Sequence, residues 1–345
     1  MMKPDDLICV TGATGFVASQ LIKQLLERGQ RVRGTVRSLR KAEALAPLES
    51  LPGAKERLSL VEADLLNAAS LIPAVDGCGI VMHTASPYIM SYKDPQRELV
   101  DPAVNGTRHT LGACQAVSSV RRVVLTSSMA AITDEPPDRV LTEEDWNEES
   151  SLTRNAYYYS KTMAERAAWA FMAAERPRFD LVVVNPFMVI GPSLVPPLNE
   201  SNKLIADILN RRMPAILSLA WGFVDVRDVA GAHILAATKP LAKGRHVCAN
   251  LTLTMAELVD HLRPIADGYK LPRLSLDNAF GRAMTRMSGV FYPKGARDFM
   301  STHLGRVPRF DHTKIERELG LAFTDIDVTL KDTVQDLARW GHVKQ

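Results

Sequence analysis

The sequence predicts an α/β protein, a doubly wound parallel sheet carrying a smaller, mostly helical lobe toward its C-terminus. Three observations carry this reading. Short apolar runs alternate with helix-period segments through the first half; a glycine-rich turn follows the first run and opens the first helix; and the rhythm breaks near residue 190. Such alternation yields parallel strands covered by helices on both faces. Functional groups in such sheets gather at the carboxyl ends of the strands, where most of the unusual residues of this chain fall.

The elements follow in order. "LICVTG" (7–12) reads as a buried strand and "VASQLIKQLLERG" (17–29) as a helix closed by Gly29. "RVRGTVR" (31–37), "LSLVEADL" (58–65), "GIVMHTAS" (79–86), "RRVVLTSS" (121–128) and "FDLVVVNP" (179–186) read as the next five strands. Helices are expected between them, including 96–118 and 156–175. "GPSLVPPLNES" is a proline-rich break, "NKLIADILNRRMP" a helix, and "GFVDVRDVAGAHILAATK" a short strand and helix returning to the core. The division expected is a Rossmann domain over 1–190 with 223–250 returning to it, and a substrate lobe from 191–222 and 251–345.

Composition bounds the function. With 46% hydrophobic and 23% charged residues the chain is ordinary globular material with enough apolar side chain for a sizeable core. A formal charge of +3, without a basic run, argues against nucleic acid. Cys9, Cys78, Cys114 and Cys248 lie far apart with no ligand spacing, which suits buried free thiols in a reducing compartment and no metal site. The start, "MMKPDDLICVTG", has acids where a secretory signal needs an apolar stretch, and no run reaches the length of a membrane span. A cytoplasmic protein is expected.

"VTGATGFVAS" carries the cofactor signal. Gly12 and Gly15 let the backbone turn tightly and approach an anion at the helix N-terminus, while Ala18 fills the third small position, where helix and strand pack closely. Thr14, Phe16 and Val17 belong to the same turn. NAD-binding proteins place an acid at the end of the second strand, whereas an arginine there accommodates a 2′-phosphate. Here "TVRSLRK" has no acid but Arg37, Arg40 and Lys41, so NADP(H) is the cofactor expected. Asp64, followed by Leu65, closes the third strand, either to accept from the adenine amino group or to cap a helix. Thr84, Ala85 and Ser86 in "HTASP" are small, as a backbone passing close to a ligand requires.

Carbonyl reduction needs an acid for the developing alkoxide and a fixed grip on its oxygen. In "NAYYYSK", Tyr157 and Tyr158 lie four and three residues before Lys161, on its face of a helix, whereas Tyr159 at two points elsewhere. A neighbouring ammonium favours the phenolate and lowers the phenol's pKa. Ser127 and Ser128 end the fifth strand beside the expected groove, where one hydroxyl can hold the substrate oxygen or cap the following turn.

Taken together, "TGATGFVAS", "HTASP", "TSSMAA", "YYYSK" and "NPFMVIGP" resemble an extended short-chain dehydrogenase/reductase, continuously from about residue 7 to 250. The narrower likeness is to the dihydroflavonol reductase, cinnamoyl-CoA reductase and microbial aldehyde-ketone reductase branch. The resemblance implies that the family's "YxxxK" falls on Tyr157 and Lys161, that Ser128 is the catalytic serine, and that Ser127 neighbours the cofactor. It implies Arg37 for the 2′-phosphate; plant members carry a lysine seven residues on, where this chain has Ala44, with Arg40 or Lys41 to stand in. It also places Asn185 to Val189, with Pro186, Phe187 and Val189, along the nicotinamide, and Asn105 near the active site, supporting the lysine through water.

Plant flavonoid reductases carry an asparagine five residues after the catalytic serine, where this chain has Thr133, so a dihydroflavonol is not the expected substrate. The expected walls are Ser86 to Met90 with Tyr88, Thr133, Phe187, Trp221, Phe223 and the loop around Phe291 and Tyr292, suited to an aromatic or hydrophobic carbonyl. An NADPH-dependent carbonyl reductase follows, acting on a small molecule, without nucleic acid or membrane, and with a homodimer as the assembly. Its rivals are a nucleotide-sugar epimerase or dehydratase of the same fold, against which "TVRSLRK" speaks, and a non-catalytic NADP-sensing protein.

Overall fold

The computed structural model of the chain describes residues 2–86, 92–288 and 294–344. Its centre is a seven-stranded parallel sheet built on β1 (Leu7–Val10), β2 (Arg31–Val36), β3 (Leu58–Glu62), β4 (Cys78–His83) and β5 (Arg122–Thr126), with strands Asp180–Pro186 and Gly244–Cys248. From one edge the order is Gly244–Cys248, Asp180–Pro186, β5, β4, β1, β2, β3. The order reverses at β1, so the carboxyl ends of β1 and β4 open a crevice between them. All six expected strands of this sheet form. The seventh, "GRHVC", pairs beside Asp180–Pro186 and escapes a reading by apolar runs because Arg245 and His246 interrupt it.

β4 is buried at every residue, and β1 at all but its first, as expected of strands covered on both faces. Helix Phe16–Glu27 turns Leu21, Ile22, Leu25 and Leu26 onto the sheet, the i, i+4 stripe its sequence carries. Helix Ala156–Glu175 has the expected bounds. The expected helix 96–118 is instead a π-helical turn, Gln96–Val100, running into an α-helix, Asp101–Ala116. Pro102 sits at the α-helix start, where a missing N–H costs least. All four cysteines are free and buried.

The second lobe has its own core around Ile205, Leu209, Leu258, Leu262, Leu330 and Leu337. Strand Ala220–Asp225 does not rejoin the central sheet: it pairs with Met188–Ile190 and Leu251–Thr254 in a separate three-stranded sheet. The chain returns to the Rossmann core through helix Val226–Thr238 and strand Gly244–Cys248. It does so again near its end, where Ile315 and Leu319 of helix Thr313–Leu319, with Leu321, pack into that core.

Candidate active site

The turn after β1 is shaped for close approach. Gly12 has φ +68°, and a Cβ there would lie 2.9 Å from Ala85 Cβ. Its N–H donates to Thr35 Oγ1 at 3.0 Å, so the turn is anchored on β2. Thr11 ties it to the end of β4: its Oγ1 accepts from the N–H groups of Thr84 and Ala85 at 3.1 and 3.0 Å. With both lone pairs engaged, the Thr11 hydroxyl hydrogen points at His83 Nδ1, 2.9 Å away, which places the imidazole hydrogen on Nε2. Burial, and the nearby Lys161, push the His83 pKa down to about 4 and keep the ring neutral.

Gly15 is the N-cap of helix Phe16–Glu27 and supplies no side-chain cap, so the first-turn amides of Phe16 and Val17 face outward with the positive end of the helix. Thr14, Phe16 and Val17 are half-buried along this turn. Past the end of β2, Arg37, Arg40 and Lys41 are exposed, and none joins an ion pair among the described residues. Glu62, the acid nearest this loop in the hydrogen-bond network, accepts from the Leu39 N–H at 2.7 Å. An amide-lined cradle closed to any side chain at Gly12, with three free cations and no acid at the end of β2, fits a 2′-phosphorylated dinucleotide.

Asp64 behaves as a turn residue. Its Oδ1 accepts from the Leu66 N–H at 2.9 Å just ahead of helix Ala68–Val75. Leu65 packs on helix Asp101–Ala116, where Gly106 leaves it room, and its carbonyl meets His109 Nδ1 at 2.8 Å.

Helix Ala156–Glu175 packs on the turn that follows β5, Thr162 Oγ1 donating to the Ala130 carbonyl at 3.2 Å. Lys161 Nζ donates to Ser86 Oγ at 2.9 Å and lies 5.6 Å from the centre of the Tyr157 ring. Desolvation pushes the lysine pKa down to about 8. Tyr158 turns the other way, its ring 5.7 Å from His303 of the second lobe. Ser128 caps the short helical turn Met129–Ala131 and accepts from the Ala130 N–H at 3.1 Å.

The matched family model is the "NAD dependent epimerase/dehydratase family", over residues 8–249. The chain belongs to this family, the extended short-chain dehydrogenases/reductases. Among curated family members, the chain is 37% identical to a cinnamoyl-CoA reductase of Medicago truncatula, over 96% of this chain and 95% of that one. It is 35% identical to tetraketide alpha-pyrone reductase 1 of Arabidopsis thaliana, over 97% and 96%. Among solved members, the yeast methylglyoxal/isovaleraldehyde reductase Gre2 complexed with NADPH superposes with a TM-score of 0.78 at 28% identity, covering 98% of this chain and 100% of that one. Alfalfa vestitone reductase superposes at 0.77 with 27% identity, over 98% and 100%.

Against this extended reductase frame several sequence expectations need correction. Trp221 and Phe223 are not pocket walls: they are 4% and 0% exposed and sit in the core of the second lobe, with Trp221 stacked on Phe299. A strand in a two-faced layer buries its aromatics on both sides. Thr133 is 6% exposed beneath the turn that follows Ser128. The Ser127 hydroxyl does not face the cofactor groove but donates to the buried Glu165 at 2.5 Å. Asn105, expected to support Lys161 through water, is exposed on helix Asp101–Ala116. Pro186 and Val189 are buried in the core, and Phe187 between them is half-buried against Phe310. Tyr88, with Pro87, Ile89, Met90, Phe291 and Tyr292, lies outside the described residues.

Sequence reasoning missed two supports of the site. One is Asn155, the helix N-cap two residues before Tyr157, held at φ +49° by hydrogen bonds to Asp134 and to Thr302 Oγ1 of the second lobe. The other is the ion pair of Glu165 and Arg245, 2.6 Å apart and both buried. The signal for the second was present as charge at positions where the surrounding pattern is apolar.

Proposed function

We propose that the chain reduces an aldehyde or ketone, aromatic or otherwise hydrophobic, with Tyr157 as the proton donor. The chain is an oxidoreductase that uses NADP(H), and the cofactor supplies the hydride. One observation carries the reading: the Lys161 amine lies 5.6 Å from the centre of the Tyr157 ring and is tethered to Ser86, and the same helix packs on the turn that Ser128 caps, Thr162 Oγ1 donating to the Ala130 carbonyl at 3.2 Å.

The residues divide the work. Ser128 Oγ accepts from the Ala130 N–H, which leaves its own O–H to donate to the substrate oxygen. Tyr157 gives its proton to that oxygen as negative charge develops. The Lys161 ammonium favours the phenolate left behind. Phe187, half-buried at the strand end, offers an apolar wall. An epimerase or dehydratase that retains NAD finds less support, because β2 is followed by Arg37 rather than a carboxylate.

The test is loss of NADPH absorbance with aryl aldehydes, ketoesters, diketones and flavonoids, repeated with NADH. Saturable turnover of one class supports the proposal. Tight NADP(H) binding without turnover of any carbonyl overturns it in favour of a non-catalytic sensor.

A further inference from the structure

The Glu165 carboxylate is buried one helical turn beyond Lys161, and four side chains donate to it. Ser127 Oγ and Asn185 Nδ2 reach Oε2 at 2.5 and 2.8 Å; Arg245 Nε and Trp169 Nε1 reach Oε1 at 2.6 and 3.1 Å. Asn185 Nδ2 also donates to the Ser128 carbonyl at 3.2 Å. Arg245 extends the network with the rest of its fork: Nη2 donates to the Ala131 carbonyl at 3.2 Å, and Nη1 to the carbonyls of Glu143 and Asp145 at 3.0 and 2.5 Å. The Trp146 ring lies 4.0 Å from the guanidinium.

Both ends of the Met129–Ala131 turn are therefore held from one ion pair, and the acid of that pair stands on the helix that carries Tyr157 and Lys161. We infer that Glu165 and Arg245 are positioning residues that set the Ser128 hydroxyl against the Tyr157 phenol. The two groups come from separate segments, the turn after β5 and helix Ala156–Glu175, and must meet on one substrate oxygen. A hydrogen bond to developing charge depends steeply on such placement. A buried ion pair adds little net stability, whereas a fork fixed at both Glu165 oxygens, with Nη2 reaching Oε2 at 3.3 Å, and at three backbone carbonyls fixes geometry.

The inference rests on the proposed reductase reading, and a double-mutant cycle separates the two. Wild type that turns over no carbonyl overturns the reading itself. With turnover in hand, kcat is measured for Glu165→Gln, Ser128→Ala and the pair, alongside NADPH affinity and thermal melting. A glutamine keeps the shape, but its NH2 is not an acceptor for the Arg245 fork. Expected is a fall in kcat of about tenfold for Glu165→Gln with NADPH affinity kept. In the Ser128→Ala background the same change costs less than about twofold, because the group being positioned is gone. Equal losses in both backgrounds, or no loss, overturn the inference. Should Glu165→Gln not fold, Ser127→Ala removes one donor to the carboxylate without unpairing the guanidinium. The same cycle then applies, with a loss of about threefold expected that vanishes with Ser128.

Discussion

Lys161 Nζ donates to Ser86 Oγ at 2.9 Å, so the cation of helix Ala156–Glu175 is held by the strand end that also closes over Gly12. The link joins the two halves of the site: Ser86 follows Ala85, whose Cβ defines the space at the glycine turn. The amine thus keeps one position relative to both the phenol and the nucleotide cradle.

Replacing Tyr157 by phenylalanine removes the proposed acid and leaves the ring in place. Turnover is expected to fall by about 10²–10⁴-fold, with NADPH affinity changed less than about threefold. Tyr158→Phe keeps the ring on His303 and is expected to retain turnover. Steady-state kinetics and cofactor titration read both.

The depressed Lys161 pKa is expected to give the proposed reaction an alkaline limb. The ammonium is present below about pH 8 and is lost as pH rises through that value, and the proposed carbonyl reduction is expected to fall with it. The kcat/KM profile of the free enzyme should break near 8. Lys161→Arg, which stays charged, should carry any remaining rate through without that break.

Arg37 is exposed and outside any described ion pair at the end of β2. Arg37→Asp is expected to raise KM for NADPH by about 10- to 100-fold, the worth of one or two charge-assisted hydrogen bonds, and to change KM for NADH little. Equal changes for both cofactors would place the 2′-phosphate elsewhere.

Gly12→Ala meets two penalties, the positive φ and the contact of 2.9 Å with Ala85 Cβ. A loss of about 2–4 kcal/mol in unfolding free energy is expected, together with weakened cofactor binding. Gly29, also at positive φ but with open space around it, should show the φ penalty alone.

Acid stability should report the buried histidines. Burial pushes His83 and His233 down to about 4 and His303 to about 3, so each is neutral when folded and takes up a proton on unfolding. The unfolded chain titrates near pH 6.5, so stability is full above that value and falls as pH drops from about 6.5 toward 4. Each histidine contributes up to about 1.4 kcal/mol per pH unit in that window. Urea midpoints at pH 7 and pH 5 measure the slope, and coincident midpoints would contradict it.

The sequence by itself determined the parallel sheet, the glycine turn and the helix carrying Tyr157 and Lys161. Each is written in local signals: apolar runs, Gly12 with its positive φ, and i, i+4 spacing. Loss of an acid after β2 was equally local. Tertiary structure alone decided what lies behind the site. Glu165, Arg245, Ser127 and Asn185 come from four segments as much as 118 residues apart, and their pairing is set by how the strands are ordered. The same holds for Trp221 and Phe223, whose aromatic character fits a pocket or a core equally well. Only the second sheet, stacked with Phe299 beside it, buries them. Local chemistry is legible along a chain, whereas burial belongs to the layers that fold over it.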